Sequence, residues 1–300
     1  MGRVVVVGSI NADLLVRVRT LPAPGETALA IGASNAAGGK GQAQAIAAAR
    51  FGADVQFIAA VGDDAHGRAA LDGLTEVDRS LVRTTHAETG RAIVAIDDAG
   101  ENSIIVIPGA NASLESLTEA DEAAIKAADV VLLQLENGTN IALEAITCAH
   151  EAGVTVILNA APPAELSRVG IFGLLALLDY LIVNEHECLR MGGGPDADSS
   201  ARALARLAGT VLVTLGAQGG ALYRGSGKPL TLPALDVEPV DTPGAGDAFC
   251  GVFAAAIAEG RAVESAFQLA LVAGSIATLT AGNVPAIPTR EQIMTSEGRL

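Results

Sequence analysis

The segment Asp241-Thr-Pro-Gly244-Ala245-Gly246-Asp247 runs directly into helix-forming residues, and its spacing has chemical consequences. Gly244 and Gly246 free successive backbone N–H groups to cradle an anion at a helix start, where the peptide dipoles also favour negative charge. Asp247 falls in the first helical turn. A carboxylate repels phosphate, so it makes a poor phosphate ligand. Beside an anion cradle it is useful if it takes the proton of a hydroxyl that attacks a phosphoryl group, while the amides hold the developing charge. An Asp at this position also serves as a plain helix cap or dipole partner.

Other polar clusters follow apolar runs. Gly8-Ser-Ile-Asn11-Ala-Asp13 comes after Val4–Val7. Two polar side chains two positions apart on an extended chain face one side, and they suit hydroxyls, which need both donors and acceptors. An Asx turn leaving the strand is the alternative. Gly38-Gly39-Lys40-Gly41 precedes an Ala-rich helical segment, and Lys126 and Lys228 are the only other lysines. This run reads either as an anion-friendly backbone with one fixed cation or as a flexible turn with a solvated Lys. Asn184-Glu-His-Glu187 could orient hydrated Mg²⁺, which keeps most of its waters, or could be surface polarity. Thr214, Leu215, Gly216, Ala217, Gln218 and Gly219 supply glycines that let a flat ligand such as a nucleotide base approach closely.

Several chemistries are excluded. Ser34 stands where a Walker A loop needs its first Gly, and Gly41 stands where it needs Ser or Thr. Gly244-Ala-Gly246 lacks the third glycine of a dinucleotide fingerprint. Cys148, Cys188 and Cys250 are odd in number and widely spaced, and His66, His86, His150 and His186 have no zinc-motif spacing. The 300-residue chain has 19 Lys and Arg against 34 Asp and Glu, a formal charge of -15, and it carries no Trp. Nucleic acid is therefore not an expected partner. Any anionic substrate must be held locally against the overall field. The opening apolar run is too short for a signal peptide, and no stretch has the length of a membrane span. The sequons at Asn111 and Asn137 are then chance matches. The expectation is a cytoplasmic protein with reduced thiols and no membrane association.

These clusters need elements to position them. Strands are expected at Val4–Val7, Val55–Val61, Ala92–Ile96, Ser103–Ile107, Val130–Leu135, Val154–Leu158, Leu181–Val183 and Val211–Leu215. Helices are expected at Gln42–Phe51, His66–Leu74, Glu115–Ala128, Ile141–Glu151, Ser199–Leu207, Asp247–Ala258 and Ala262–Leu279. Continuous apolar strands alternating with helices predict an α/β fold with a mostly parallel sheet covered on both faces. Ligands in such folds bind at the C-terminal strand edge. Two segments, about 14–37 and 91–108, instead alternate apolar and polar residues around turn sequences. They read as a small projecting β-sheet that acts as a lid, or as two edge hairpins.

Taken in order along nearly the whole chain, these motifs resemble the ribokinase (pfkB-type) family of carbohydrate kinases. The matching segments are Gly8-Ser-Ile-Asn-Ala-Asp13, Pro24-Gly-Glu-Thr27, Gly38-Gly-Lys-Gly41, Asn184-x-x-Glu187, Thr214-Leu-Gly216 and Asp241-Thr-x-Gly-Ala-Gly-Asp247. The resemblance implies a single three-layer αβα domain with a β lid, and a homodimer formed through the lids. It implies ATP-dependent phosphorylation of a sugar hydroxyl, most simply D-ribose to ribose 5-phosphate; 2-deoxyribose, a ketohexose or a nucleoside is the alternative acceptor. It makes Asp247 the catalytic base, with Gly244, Ala245 and Gly246 as anion hole. Asn11, Asp13, Gly39, Lys40 and Glu136 would hold the sugar together with Asp247. Asn184, the Thr214–Gly219 segment and Gly246 would contact ATP. Glu187 would act on Mg²⁺ through water. A monovalent cation, K⁺ in most members, would take Asp241, Pro243, Ala277, Thr280 and Gly282 as ligands, mostly through carbonyls. Two departures stand out. Family members follow Gly-Gly-Lys-Gly with one residue, then Asn, then Gln, and the Asn meets a sugar hydroxyl; this chain reads Gln42-Ala43-Gln44. Losing that bond costs about 1–3 kcal/mol unless Gln42 or Gln44 reaches in or the substrate differs at that hydroxyl. The second departure is Ala286, where a Ser hydroxyl often completes the cation site.

Overall fold

Four consecutive valines set the architecture. Val4 and Val6 belong to one apolar core, while Val5 and Val7 belong to another. A β-strand sends alternate side chains to opposite faces, so this strand lies at the centre of three layers. The computed structural model describes residues 1–163 and 173–299. Its strands are β1 (Arg3–Val7), β2 (Asn11–Arg17), β3 (Gly32–Gly38), β4 (Asp54–Gly62), β5 (Val82–Thr85), β6 (Arg91–Ile96), β7 (Asn102–Ile107), β8 (Val130–Leu133), β9 (Thr155–Asn159), β10 (Tyr180–Asn184), β11 (Thr210–Thr214), β12 (Gly220–Arg224) and β13 (Leu230–Leu232). Its helices are α1 (Lys40–Phe51), α2 (Ala65–Gly73), α3 (Glu119–Ala127), α4 (Thr139–Glu151), α5 (Glu185–Gly192), α6 (Ala197–Ala205), α7 (Ala245–Ala258), α8 (Val263–Ala277), α9 (Asn283–Ala286) and α10 (Arg290–Ser296).

The main sheet runs β13-β12-β11-β10-β9-β8-β1-β4-β5. It is parallel from β5 through β11, and β12 and β13 pair antiparallel at one edge. On one face, α1, α7 and α8 bury a core in which Phe249 packs edge-on to Phe267 and stacks parallel to Phe253. On the other face, Ile125 of α3, Ile146 of α4 and Leu204 of α6 bury against Val131, Val156 and Val211. The pairing of α1 with α7 depends on Gly251, because a Cβ there would collide with the carbonyl oxygen of Gln44 and the methyl of Ala47. That contact draws the start of α1 and the start of α7 towards the same sheet edge.

A second sheet has the order β3-β2-β6-β7. β2 pairs antiparallel with β3 and parallel with β6, and β6 pairs antiparallel with β7. One expectation needs correction here. Asn11 and Asp13 do not end the first strand: the chain turns at Gly8–Ile10, and both residues open β2 of the small sheet. The small sheet therefore starts three residues before the segment expected from alternation. The sequence also gave no warning of β5, β12, β13, α5, α9 and α10. β5 and β13 are the edge strands of the sheet, β12 lies one strand in from β13 and opens on a glycine, and none of them carries the long apolar run that marks a central strand.

Candidate active site

The parallel strands β1, β8, β9, β10 and β11 all end on one edge, which the starts of α1 and α7 face. Asp247 is 6% exposed in the first turn of α7. Its Oδ1 accepts a hydrogen bond from Gln44 Nε2 at 2.9 Å, and its Oδ2 faces Asn283 Nδ2 at 3.5 Å. Gln44 Nε2 also donates to Asn159 Oδ1 at 3.1 Å, while Gln44 Oε1 accepts from Gln134 Nε2 at 2.7 Å. A chain of buried carboxamides from α1, β9 and the end of β8 thus fixes the acid. Buried polar groups need such partners, because each unmet one costs about 1–3 kcal/mol. Gln44 is therefore committed to Asp247, and the neighbouring Ala43 is fully buried with no polar side-chain atom.

Gly244 adopts φ 86° at the α7 N-cap, a left-handed conformation that glycine takes without strain. The predicted cradle needs one amendment. The Ala245 N–H turns back to the Thr242 carbonyl at 3.3 Å. The Gly244 and Gly246 N–H groups have no acceptor among the described residues, so they are the amides free to meet an anion.

Glu136 lies just beyond β8. Its Oε2 accepts from the Lys40 backbone N–H at 3.0 Å and from Ser9 Oγ. The N-cap of α1 is Gly39, which has no side chain to cap with, so Glu136 supplies the missing acceptor from across the sheet. Asn11 is buried, and its Oδ1 accepts from Asn111 Nδ2 at 2.8 Å. Asn111 also exchanges two bonds with the Ile10 backbone, at 3.0 and 3.1 Å. Its sequon is thus a buried anchor. Asp13 Oδ1 accepts from the Ala92 N–H at 3.2 Å. Burial pushes the Asp13 carboxyl up to about 6 against that bond, and the charges of Glu136 and Asp247 add to the rise. Lys40 is the cation among these acids. The charge of Asp247 raises its pKa against the opposing effect of burial, and Glu136 and Glu187 reinforce the rise.

Further along the edge, Asn184 and Thr214 are register partners on β10 and β11. Asn184 Oδ1 accepts from the Glu187 N–H at 2.8 Å, and Glu187 Oε2 accepts from the Asn184 N–H at 2.8 Å. This reciprocal pair is a capping box for α5. The Asn-x-x-Glu spacing carried that signal as well as the metal reading. Glu187 is buried, and burial raises its pKa while Lys40 opposes the rise. Gly216, Ala217 and Gln218 form an exposed turn closed by the Leu215 N–H to the Gly219 carbonyl at 2.8 Å. On the far side of Gly244, Asp241 Oδ2 accepts from the Gly282 N–H at 2.9 Å, and the Val240 and Asp241 N–H groups share the Thr278 carbonyl. These bonds bring Asp241 to the loop that carries Ala277, Thr280 and Gly282. Pro243 is exposed beside them, and Ala286 packs on Ala248 and Ala277.

The sheet order, the paired cores and an acid at a glycine cradle define an α/β kinase of the sugar-kinase type. The chain matches the profile of the pfkB family carbohydrate kinase over residues 1–290 and belongs to that family. It is 36% identical to the ribokinase of Bacillus subtilis (strain 168) over 302 residues, covering 98% of each chain. It is 32% identical to a deoxyribokinase of Salmonella typhi over 303 residues, covering 96% of each. It superposes on Arabidopsis thaliana ribokinase complexed with ribose and ATP with a TM-score of 0.89 at 33% identity, covering 99% of this chain and 98% of that one. The chain is therefore a phosphotransferase. Among the described residues, no helix is long and apolar enough to cross a membrane.

Proposed function

We propose that this kinase transfers the γ-phosphoryl group of ATP to D-ribose, giving ribose 5-phosphate and ADP. The observation that carries the reading is Asp247, held by Gln44 beside the free amides of Gly244 and Gly246. Asn11, Asp13, Gly39, Lys40 and Glu136 hold the sugar, so its reacting hydroxyl points at Asp247. Asp247 takes the hydroxyl proton as the oxygen attacks the γ-phosphorus. The new O–P bond forms while the bond from the γ-phosphorus to the bridging oxygen breaks, and ADP leaves with that electron pair. The Gly244 and Gly246 amides and the Lys40 ammonium meet the charge on the transferring group. Asn184, Thr214 and the Leu215–Gly219 turn receive the nucleotide on their exposed shelf.

The residues fit the ions this chemistry calls for. One Glu187 oxygen is tied to the Asn184 N–H, and the other would meet the water shell of Mg²⁺. When bound, Mg²⁺ neutralises charge on the β- and γ-phosphates. Asp241, with the carbonyls of Pro243, Ala277, Thr280 and Gly282, would supply an all-oxygen set suited to K⁺, with a methyl from Ala286 where a hydroxyl would complete it. The four-stranded sheet serves as the lid of a single domain. Its β7 strand exposes Ile104, Ile105, Val106 and Ile107, with Ile105 62% exposed. An apolar edge strand of this kind needs a cover, and a second copy of the lid supplies one.

The test is a coupled ADP-release assay over ribose, 2-deoxyribose, ketohexoses and nucleosides, in wild type and Asp247→Asn. Ribose is expected to give the highest kcat/KM, and Asp247→Asn to lower kcat by about 10²–10⁴-fold with ATP affinity retained. A wild type silent on ribose and active on 2-deoxyribose would move the substrate to the second reading, which the apolar Ala43 favours. A near-wild-type kcat in Asp247→Asn would refute the base.

A further inference from the structure

Among the described residues, two carboxamides bond to Asp247: Gln44 and Asn283. Gln44 is saturated, because its Nε2 serves both Asp247 and Asn159 and its Oε1 takes the Gln134 amide. Asn283 is not. Its Nδ2 lies 3.5 Å from Asp247 Oδ2, while its Oδ1 is buried and has no hydrogen-bond partner. That orphan oxygen sits against the face of Gly244 where a side chain would stand, and a Cβ there would collide with it. The carboxamide thus spans from the glycine of the cradle to the acid that takes the proton. On the proposed reading, the attacking oxygen and the phosphorus meet beside it.

The orphan atom is an acceptor, so its partner brings a hydrogen or is a cation such as the monovalent ion proposed above. ATP phosphates bring none at neutral pH, and Asp247, Asp13 and Glu136 are acceptors when ionised. A sugar hydroxyl does bring one. Gln42 has an orphan oxygen too, but it stands about 200° around α1 from Gln44 and so faces away from Asp247. Ala43, between them, has nothing to offer.

We propose that Asn283 is a sugar-specificity residue: its Oδ1 accepts a hydrogen bond from an acceptor-sugar hydroxyl other than the one phosphorylated, while its Nδ2 steadies Asp247. The proposal rests on the sugar-kinase reading above and extends it to a residue outside the family motifs quoted earlier. It makes the enzyme selective for sugars that carry that second hydroxyl.

The experiment measures KM for sugar, KM for ATP and kcat in wild type, Asn283→Ala and Asn283→Ser. The substrates are ribose and analogues lacking the hydroxyl at C1, C2 or C3. Asn283→Ala is expected to raise the ribose KM about tenfold, with ATP KM unmoved. For one of the deoxy analogues the same substitution leaves KM unchanged, because the partner hydroxyl is already gone. Asn283→Ser, which keeps a shorter acceptor, falls between the two. An unchanged ribose KM in Asn283→Ala overturns the proposal. So does an ATP KM that moves as far as the sugar KM, or an equal effect on every analogue. A wild type that phosphorylates no sugar refutes the underlying reading instead, and the wild-type arm alone reveals it.

Discussion

Replacing Gln44 with Ala tests whether the carboxamide network holds the base in its working position. The substitution removes a bond to Asp247 Oδ1 at 2.9 Å, one to Asn159 Oδ1 at 3.1 Å and one from Gln134 at 2.7 Å. A bond to a charged group contributes about 1.5–3 kcal/mol and a neutral one about 0.5–1.5 kcal/mol. The summed loss of stability is about 2.5–6 kcal/mol, much of it from partner atoms left buried and unmet. Asp247 then keeps only Asn283, at 3.5 Å, which is beyond good hydrogen-bond length. A carboxylate free to swing by about 1 Å loses about 10²-fold in rate. Steady-state ADP release at saturating ATP and sugar reads kcat, and urea unfolding reads stability. The expected result is a folded variant with kcat down about 100-fold and sugar KM changed far less. Gln44→Glu, of equal size, puts an oxygen where the donor was and lowers kcat further. A folded Gln44→Ala enzyme within about twofold of wild-type kcat would refute the reasoning, since a base set to within 1 Å by this bond cannot lose it so cheaply.

Three further outcomes follow from the geometry. Burial raises Asp13 to about 6 from 3.8, so the folded state holds its proton more tightly than the unfolded chain does. The stability Asp13 contributes is present below 3.8 and is lost as pH rises through about 6. Asp13→Asn should therefore melt higher than wild type at pH 8 but not at pH 4, while its sugar KM rises; equal melting gaps at both pH values contradict this. Gly251→Ala should push α1 from α7, costing about 1–3 kcal/mol in urea unfolding and reducing kcat beyond what the loss of folded protein explains. Ile105→Glu should convert a dimer to a monomer by light scattering at micromolar concentration, and a wild type already monomeric there removes the lid-pairing proposal.

The parallel sheet was readable because its strands are buried on both faces: runs such as Val4–Val7 and Val130–Leu133 allow no other reading at their length. The placement of Asp247 and the glycines before it at a helix start was readable because the signal is local. The carboxamide network was not. Gln44, Gln134, Asn159 and Asn283 share no spacing, and only the βα crossovers bring them together. Asn111 looked like a sequon because its role, clamping Ile10 and Asn11, lies 100 residues away along the chain. Glu136 as the distant cap of α1 was hidden for the same reason. The double meaning of Asn184 and Glu187 was legible in part, since a capping box and a site at a strand end use the same residue types.

One detail of the chain path bears on motion. Only Gly8, Ser9 and Ile10 separate β1 from β2, and Asn111 grips both the Ile10 backbone and the Asn11 side chain. The small sheet is thus rooted in the main one without slack. Asn11 and Asp13 ride on that root. On the proposed reading, in which these two residues hold the sugar and the small sheet is the lid, a bound acceptor bears directly on the root of that sheet.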